Sequence, residues 1–296
     1  MAAVLTVLFA VLAAVSNAAA VVLQRTAART APRSDAFSLR LMRHLLHRPV
    51  WLGGIAAVIC AAVFQALALS LGSLSLVQPI VVSELPFALL IAGPVLRRRL
   101  PGYGWAAIAA VAGGLGLGLA AAAPSGEHVH VAAARWLAAV VAALAAMAVC
   151  VVAALPRPRG KARAALFATS AAVGYALTAA LMKDAAVAFA RQGAAAFFTT
   201  WQAYGFVVMG AVSLFLLSNA MESGPLLASQ PALTLGDALV SVTLGLVVYE
   251  EHVRTGWWLV PEAVGVLMIT AGVLVLPRVE SQALPDPPGA AGPRPG

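Results

Sequence analysis

The sequence predicts an all-α polytopic membrane protein: nine transmembrane helices, forming two inverted four-helix repeats (spans 1–4 and 6–9) joined by a linking helix. Three observations predict it. Hydrophobic residues make up 62% of the 296 residues and charged residues only 10%, against about 25% charged in an ordinary soluble domain. Nine apolar stretches reach the roughly 20 residues that a helix needs to cross the hydrocarbon layer. The third stretch resembles the eighth, and a single linking span separates the two halves.

The spans cover 2–23, 50–71, 74–96, 104–123, 132–155, 164–187, 194–218, 224–248 and 256–276. The first lacks the positive leading region of a signal peptide and reads as a retained helix. The domain layout follows: a first repeat over 1–123 with a basic loop at 24–49, a linking helix at 132–155, and a second repeat over 164–276. The Pro/Gly tail at 277–296 has nothing to bury and is expected to be disordered.

Orientation comes from the basic residues. Arg25, Arg29, Arg33, Arg40, Arg43 and Arg48 occupy the loop after span 1; Arg97, Arg98 and Arg99 follow span 3; Arg157, Arg159, Lys161 and Arg163 follow span 5. These are alternate loops, so they share one side. The positive-inside rule makes that side cytoplasmic, with the N-terminus outside and the C-terminus inside a cell (inner or plasma) membrane. Within LRLMRHLLHR (39–48), Leu39, Leu41, Met42, Leu45 and Leu46 share one half of a helical wheel. Arg40, Arg43, His44, His47 and Arg48 share the other. The segment reads as an amphipathic surface helix, with a plain basic loop as the alternative. The net charge of +8 sits in these loops and not in a basic domain, so no nucleic-acid partner is expected. Cys60 and Cys150 lie inside apolar runs and read as small buried hydrophobes, without metal-like spacing.

The repeat is visible at an offset of 152 residues. Gly72 falls on Gly224, Gln78-Pro79 on Gln230-Pro231, Gly104-Trp105 on Gly256-Trp257, and Gly113 on Gly265. More weakly, AVSNAAAVVLQRTA aligns with AVGYALTAALMKDA, pairing Asn17 with Tyr175 and Arg25 with Lys183. Four crossings return the chain to its starting side and the fifth moves it across, so the second half inserts upside down. Secondary transporters use this architecture, with the solute site at the repeat interface near mid-membrane.

Polar residues inside the spans are the candidate site. Glu84 is the eleventh residue of span 3, roughly 15 Å from either end at helical rise, and Asp237 lies near the centre of span 8. An acid at the bilayer centre costs at least ~2.5 kcal/mol on insertion scales, and its default reading is functional. The alternative is a neutral acid hydrogen-bonded to a neighbouring helix. Pro79 and Pro231 each remove a backbone hydrogen bond and predict two kinked helices facing each other. Gln65, Gln78, Gln230, Asn17 and Tyr175 either line the same path or hydrogen-bond between helices. Lys183, beside Asp184 near the outer end of span 6, either snorkels or serves as a gate or substrate-anion contact. Glu262 is read as interfacial. Glu250, Glu251, His252 and Arg254 are read as a solvated loop, and Trp257 and Trp258 as a membrane-interface belt.

These features resemble the drug/metabolite transporter (DMT) superfamily, including its EamA-type repeat. In arrangement they are more similar to the NIPA-type magnesium-transporter branch. The resemblance rests on nine spans, a long basic loop after span 1, and the run from FQALALSLGSLSLVQP onward. The counterpart of that run is GYALTAALMKDA followed by GPLLASQPALTLGDALVSVTLGLVVYEE. It covers about residues 1–276. Five-helix EamA halves contain a helix that each half lacks here. The acid that closes the proline helix is present as Glu250/Glu251, while arginines stand at 98–99.

The resemblance implies a carrier of small metabolites or cations working by alternating access; the intramembrane acids Glu84 and Asp237 are expected to bind its proton or cation. A magnesium or divalent-cation permease is the close alternative, in which Glu84 and Asp237 would be the metal ligands. A non-transporting membrane or regulatory protein is the alternative from another class. No enzymatic activity is expected. LGD (235–237) lacks a second aspartate motif for an aspartyl protease, and HExxH, GxSxG and P-loop patterns are absent. No cofactor is expected. The expected partners are the lipid bilayer and a small solute or cation, with a homodimer left open.

Overall fold

The computed structural model describes residues 2–29, 49–95, 101–124, 131–224 and 226–283. The predicted amphipathic segment 39–48, the arginines at 97–99 and residues 284–296 lie outside these. The described residues are all-helical, with nine segments long and apolar enough to cross a membrane, so the chain is a multi-pass membrane protein. In chain order the helices are α1 (Ala2–Arg29), α2 (Pro49–Leu71), α3 (Leu74–Val81), α4 (Glu84–Val95), α5 (Gly102–Ala122) and α6 (Ala133–Ala154). They continue with α7 (Lys161–Gln192), α8 (Ala194–Thr199), α9 (Trp201–Ser223), α10 (Leu226–Val248) and α11 (Leu259–Ala283), the last preceded by a 3₁₀ turn, Gly256–Trp258. The final helix thus continues through Pro277 into the segment expected to be tail.

The third span differs from expectation in an informative way. It is broken, not merely kinked, with a turn at Val82 and Ser83 separating α3 from α4. Two prolines are the cause. Pro79 lies inside α3, and Pro86 has no N–H to offer the carbonyl one turn back. Proline is tolerated in the first turn of a helix, where that N–H has no helical partner, and restarting the helix at Glu84 places Pro86 there. The turn closes its own polar groups. Ser83 N donates to Ile80 O at 3.0 Å, as does Ser83 Oγ at 2.6 Å. In the eighth span α10 has Pro231 as its one internal proline and stays continuous.

Helix α7 is the centre of the bundle, with 67% of its span buried. It packs on α6, α9 and α10, while α1 packs on α2, α3 and α4. Helix α3 lies against α10, and α5 against α11. The α5–α11 crossing is backbone on backbone. A Cβ on Gly265 would lie 2.7 Å from both Gly114 O and Gly118 N, and one on Gly272 would lie 2.8 Å from Ala107 O. Small residues at such crossings let helices approach where lipid supplies no hydrophobic drive. Gly265→Ala is therefore expected to destabilise by about 1–3 kcal/mol, as overpacking does. Gly116→Ala, with nothing within 4 Å, should be neutral. Unfolding titrations in detergent would show equal effects if the crossing were not close.

The contacts also order the ends of the bundle. Thr6 abuts Gly72, Glu251 reaches Leu74, and Arg254 N donates to Ala122 O at 2.9 Å; these mark one end. Gln24 against Gly54, Val279 against Gly104, and Gly160 N donating to Ser223 O at 2.7 Å mark the other. The first turn of α1 and the last turns of α11 are at opposite ends. Cys60 is exposed on the outer side of α2, not buried as expected, and Cys150 is half-buried; both are free. Helix α2 is apolar all round, so burial on one face could not be inferred from its pattern.

Candidate functional site: two polar clusters in an apolar bundle

The first cluster lies mid-span. Asn17, on α1, donates through Nδ2 to Glu84 Oε2. Glu84 opens α4 immediately after the break, where the positive end of the half-helix favours a carboxylate. From the opposite side come Asp237 on α10 and Tyr175 on α7, both within charge range of Glu84. Ser241 Oγ donates to Asp237 Oδ1 at 3.4 Å. Four helices thus converge on two acids, one amide and one phenol.

The antiparallel α3–α10 contact puts Glu84 and Asp237 at similar depth. Ser75 sits beside Gly245 at one end of the α3–α10 contact. Moving nine residues on to Glu84 corresponds to moving eight residues back to Asp237, as antiparallel neighbours require.

Four sequence-predicted residues are therefore brought together: Asn17, Glu84, Tyr175 and Asp237. Gln78 is buried on α3, and its Nε2 has no hydrogen-bond partner among the described residues. It shares the face of Ser75, three residues earlier, between the break and the end of the bundle. Gln65 and Gln230 are half-buried and make no described side-chain bond to the cluster. Pro231 is buried and Pro79 half-buried. No group of three or more His, Cys, Asp or Glu side chains gathers around a metal position among the described residues.

The second cluster lies at the end of the bundle, and sequence reasoning missed most of it. Lys183 is 3% exposed and Glu251 4%, so Lys183 does not snorkel and Glu251 is not in a solvated loop. They form an ion pair at 2.9 Å. The same Glu251 Oε1 accepts from Leu74 N at 2.6 Å, while Oε2 accepts from Ser75 N at 2.9 Å and Ser75 Oγ at 2.6 Å. The carboxylate therefore caps the start of α3, where backbone N–H groups have no helical partner. Its neighbours do behave as surface groups. Glu250 pairs with Arg135, His252 is exposed, and Arg254 lies 5.2 Å from the Trp258 ring centroid. Trp257 and Trp258 are exposed. Glu262 is half-buried in the first turn of α11, and its Oε2 has no described partner.

Beside this pair, Asp184 collects three donors. Oδ2 accepts from Trp136 Nε1 at 2.9 Å and Gln202 Nε2 at 3.3 Å, and Oδ1 lies 2.9 Å from the Tyr249 hydroxyl. That hydroxyl is also 2.7 Å from Ala180 O, so one proton serves both acceptors. Burial, with the Asp184 and Glu251 carboxylates alongside, pushes the Tyr249 phenol well above its ordinary value. The phenol thus stays a donor at physiological pH. Lys183 Nζ lies 4.5 Å from the Tyr249 ring centroid, which joins the two networks. Trp136, Trp201 and Gln202 also line an adjacent cleft of about 360 Å³; because Trp136 and Gln202 turn their polar atoms to Asp184, its wall is mostly apolar.

Removing Asp184 would strand the Trp136 and Gln202 donors, while the Tyr249 hydroxyl keeps Ala180 O. Asp184→Leu is expected to cost about 1–3 kcal/mol for each donor left buried without a partner, and Asp184→Asn less, because it keeps one acceptor oxygen. Equal unfolding midpoints for the two variants would refute that reading. The signal available in the sequence was the acid itself beside Lys183. Its partners, on α6, α9 and the turn after α10, share no spacing with it.

No protein-family model matches the chain, and no solved structure matches it. It is 26% identical over 286 residues to an uncharacterized protein of Corynebacterium glutamicum, an alignment covering 94% of this chain and 96% of that one. The similarity thus runs nearly the full length of both.

Proposed function

We propose that the chain is a secondary-type transporter that moves a small metabolite or cation across the membrane by alternating access, with Glu84 and Asp237 binding a proton or cation. The observation that carries this reading is the approach of two acids from different helices at a break in mid-span, with Asn17 hydrogen-bonded to one of them. Broken helices at membrane depth are tolerated where they are buried in protein or line a cavity, and transporters place solute and ion sites there. The inverted-repeat reading is supported by the packing. Span 1 packs on spans 2 and 3 as span 6 packs on 7 and 8, while spans 3 and 8, and 4 and 9, meet across the halves. The start of span 3 beside the end of span 8 is the antiparallel relation that inversion requires. A DMT-type carrier is the family reading that agrees with this layout.

A divalent-cation permease is the second reading, favoured by the two carboxylates with Asn17 beside them. Mg²⁺ takes oxygen ligands and keeps several waters, so one or two carboxylates suffice. Reconstitution into liposomes enclosing a pH-sensitive dye tests both. Solute-driven proton movement lost in Glu84→Gln, with unchanged insertion, supports the first reading. Mg²⁺ flux without proton movement supports the second. Neither flux across a panel of cations and amino acids would overturn transport.

A further inference from the structure

We propose that Glu251 and Lys183 form a latch that holds α3 closed over the central acids and releases it when the site opens toward that end of the bundle. The inference rests on the alternating-access reading and adds to it the element that moves.

Helix α3 is held at both ends in different ways. Its N-terminus is fastened by one carboxylate that bonds two backbone amides, a hydroxyl and an ammonium. Its C-terminus is the turn at Val82–Ser83, where no continuous helix transmits rigidity to α4. A short segment broken from α4 at one end, and joined at the other to α2 through Gly72–Ser73 with one carboxylate capping it, can tilt as a unit about the break.

The fastening crosses between the two halves of the chain, since Glu251 follows α10 and Leu74 begins α3. Local backbone is shaped for it. Glu250 has φ of 51°, in the left-handed region that residues other than glycine seldom adopt, and this turn sends Glu251 back into the bundle. Glu251 N donates to Gly245 O at 3.1 Å. Gly245 carries no side chain where a Cβ would collide with Glu251 Oε2 and Ser75 Oγ.

The chemistry suits reversible closure. A buried ion pair sacrifices the hydration of both charges, so it stabilises little relative to apolar packing of the same volume. When water enters as the latch opens, that hydration is recovered, and separation is much easier than for two charges forced apart in a dry interior. Between the latch and the break lies Gln78, with an unpartnered buried Nε2 on the face of α3 that Ser75 shares. Release of α3 would expose this donor together with Glu84 and Asp237.

Hydrogen–deuterium exchange on the full chain in lipid nanodiscs tests the latch. Glu251→Gln and Lys183→Met remove one partner each, and Gly245→Ala displaces the carboxylate without removing a charge. Each is expected to raise exchange of the α3 amides by about tenfold or more beyond any rise in α5 and α7, as local opening added to a change in global stability does. If Lys183→Met yields no folded protein, Gly245→Ala carries the readout. Unchanged exchange in α3, or an equal rise across all helices, would overturn the proposal. The readout needs no solute. Absent flux with α3 released as expected would sink the transport reading alone, and intact flux with α3 unaffected would sink the latch alone.

Discussion

Replacing Lys183 with methionine is expected to destabilise the protein by about 3–5 kcal/mol, the cost of leaving one member of a buried ion pair alone. Glu251 would keep its bonds to Leu74 N, Ser75 N and Ser75 Oγ, so the loss should fall toward the lower end of that range. Glu251→Gln should cost a comparable amount, because it removes the carboxylate charge that pairs with the buried Lys183 ammonium at 2.9 Å. The double variant should be more stable than the sum of the two losses predicts, since no charge is then left unpaired. A double-mutant cycle measured by denaturant unfolding gives the coupling directly. Strict additivity would mean that the two side chains do not depend on each other, and the ion pair would lose its place in the account.

The second large effect concerns Glu84. Proton-driven flux in Glu84→Gln is expected to fall to the level of empty vesicles, with expression and insertion unchanged. Glutamine keeps the length of the side chain and can still accept from Asn17 through its amide oxygen, so the local packing survives. What disappears is a group able to take and release a proton or hold a cation. Asp237→Asn should behave likewise, because Asp237 shares the charge environment of Glu84. Asn17→Ala should leave partial flux, since it removes an orienting bond and not the acid. Full activity in Glu84→Gln would show that the mid-span acid is a structural hydrogen-bonding group, the alternative that its sequence context leaves open.

Much of the architecture was legible without coordinates. Span number and approximate limits follow from the length of apolar runs, because a helix in lipid must be long enough to satisfy its backbone across the hydrocarbon. The mid-membrane acids were legible for a related reason: Glu84 and Asp237 stand out against neighbours that avoid charge. The α5–α11 crossing was half visible, since the repeat singled out Gly113 and Gly265, yet it is Gly114 and Gly118 that Gly265 meets. The third span shows a limit of pattern reading. Apolar periodicity carries across Val82 and Ser83 without interruption, and Pro79 alone suggests a kink. The full break needs Pro86 as well, because the helix has to begin again to accommodate it.

Composition and spacing therefore locate the segments long and apolar enough to cross a membrane, nine among the described residues, and show which side chains are costly to place there. They do not settle which of those side chains meet. Glu251 lies 177 residues from the Leu74 amide it caps and reads locally as one more charge in a surface loop. Lys183 reads as a residue near enough to a helix end to reach water. Only the folded bundle brings the two together and dries them. Burial depends on what every other helix covers, and a contact across the two halves leaves no periodicity in either one.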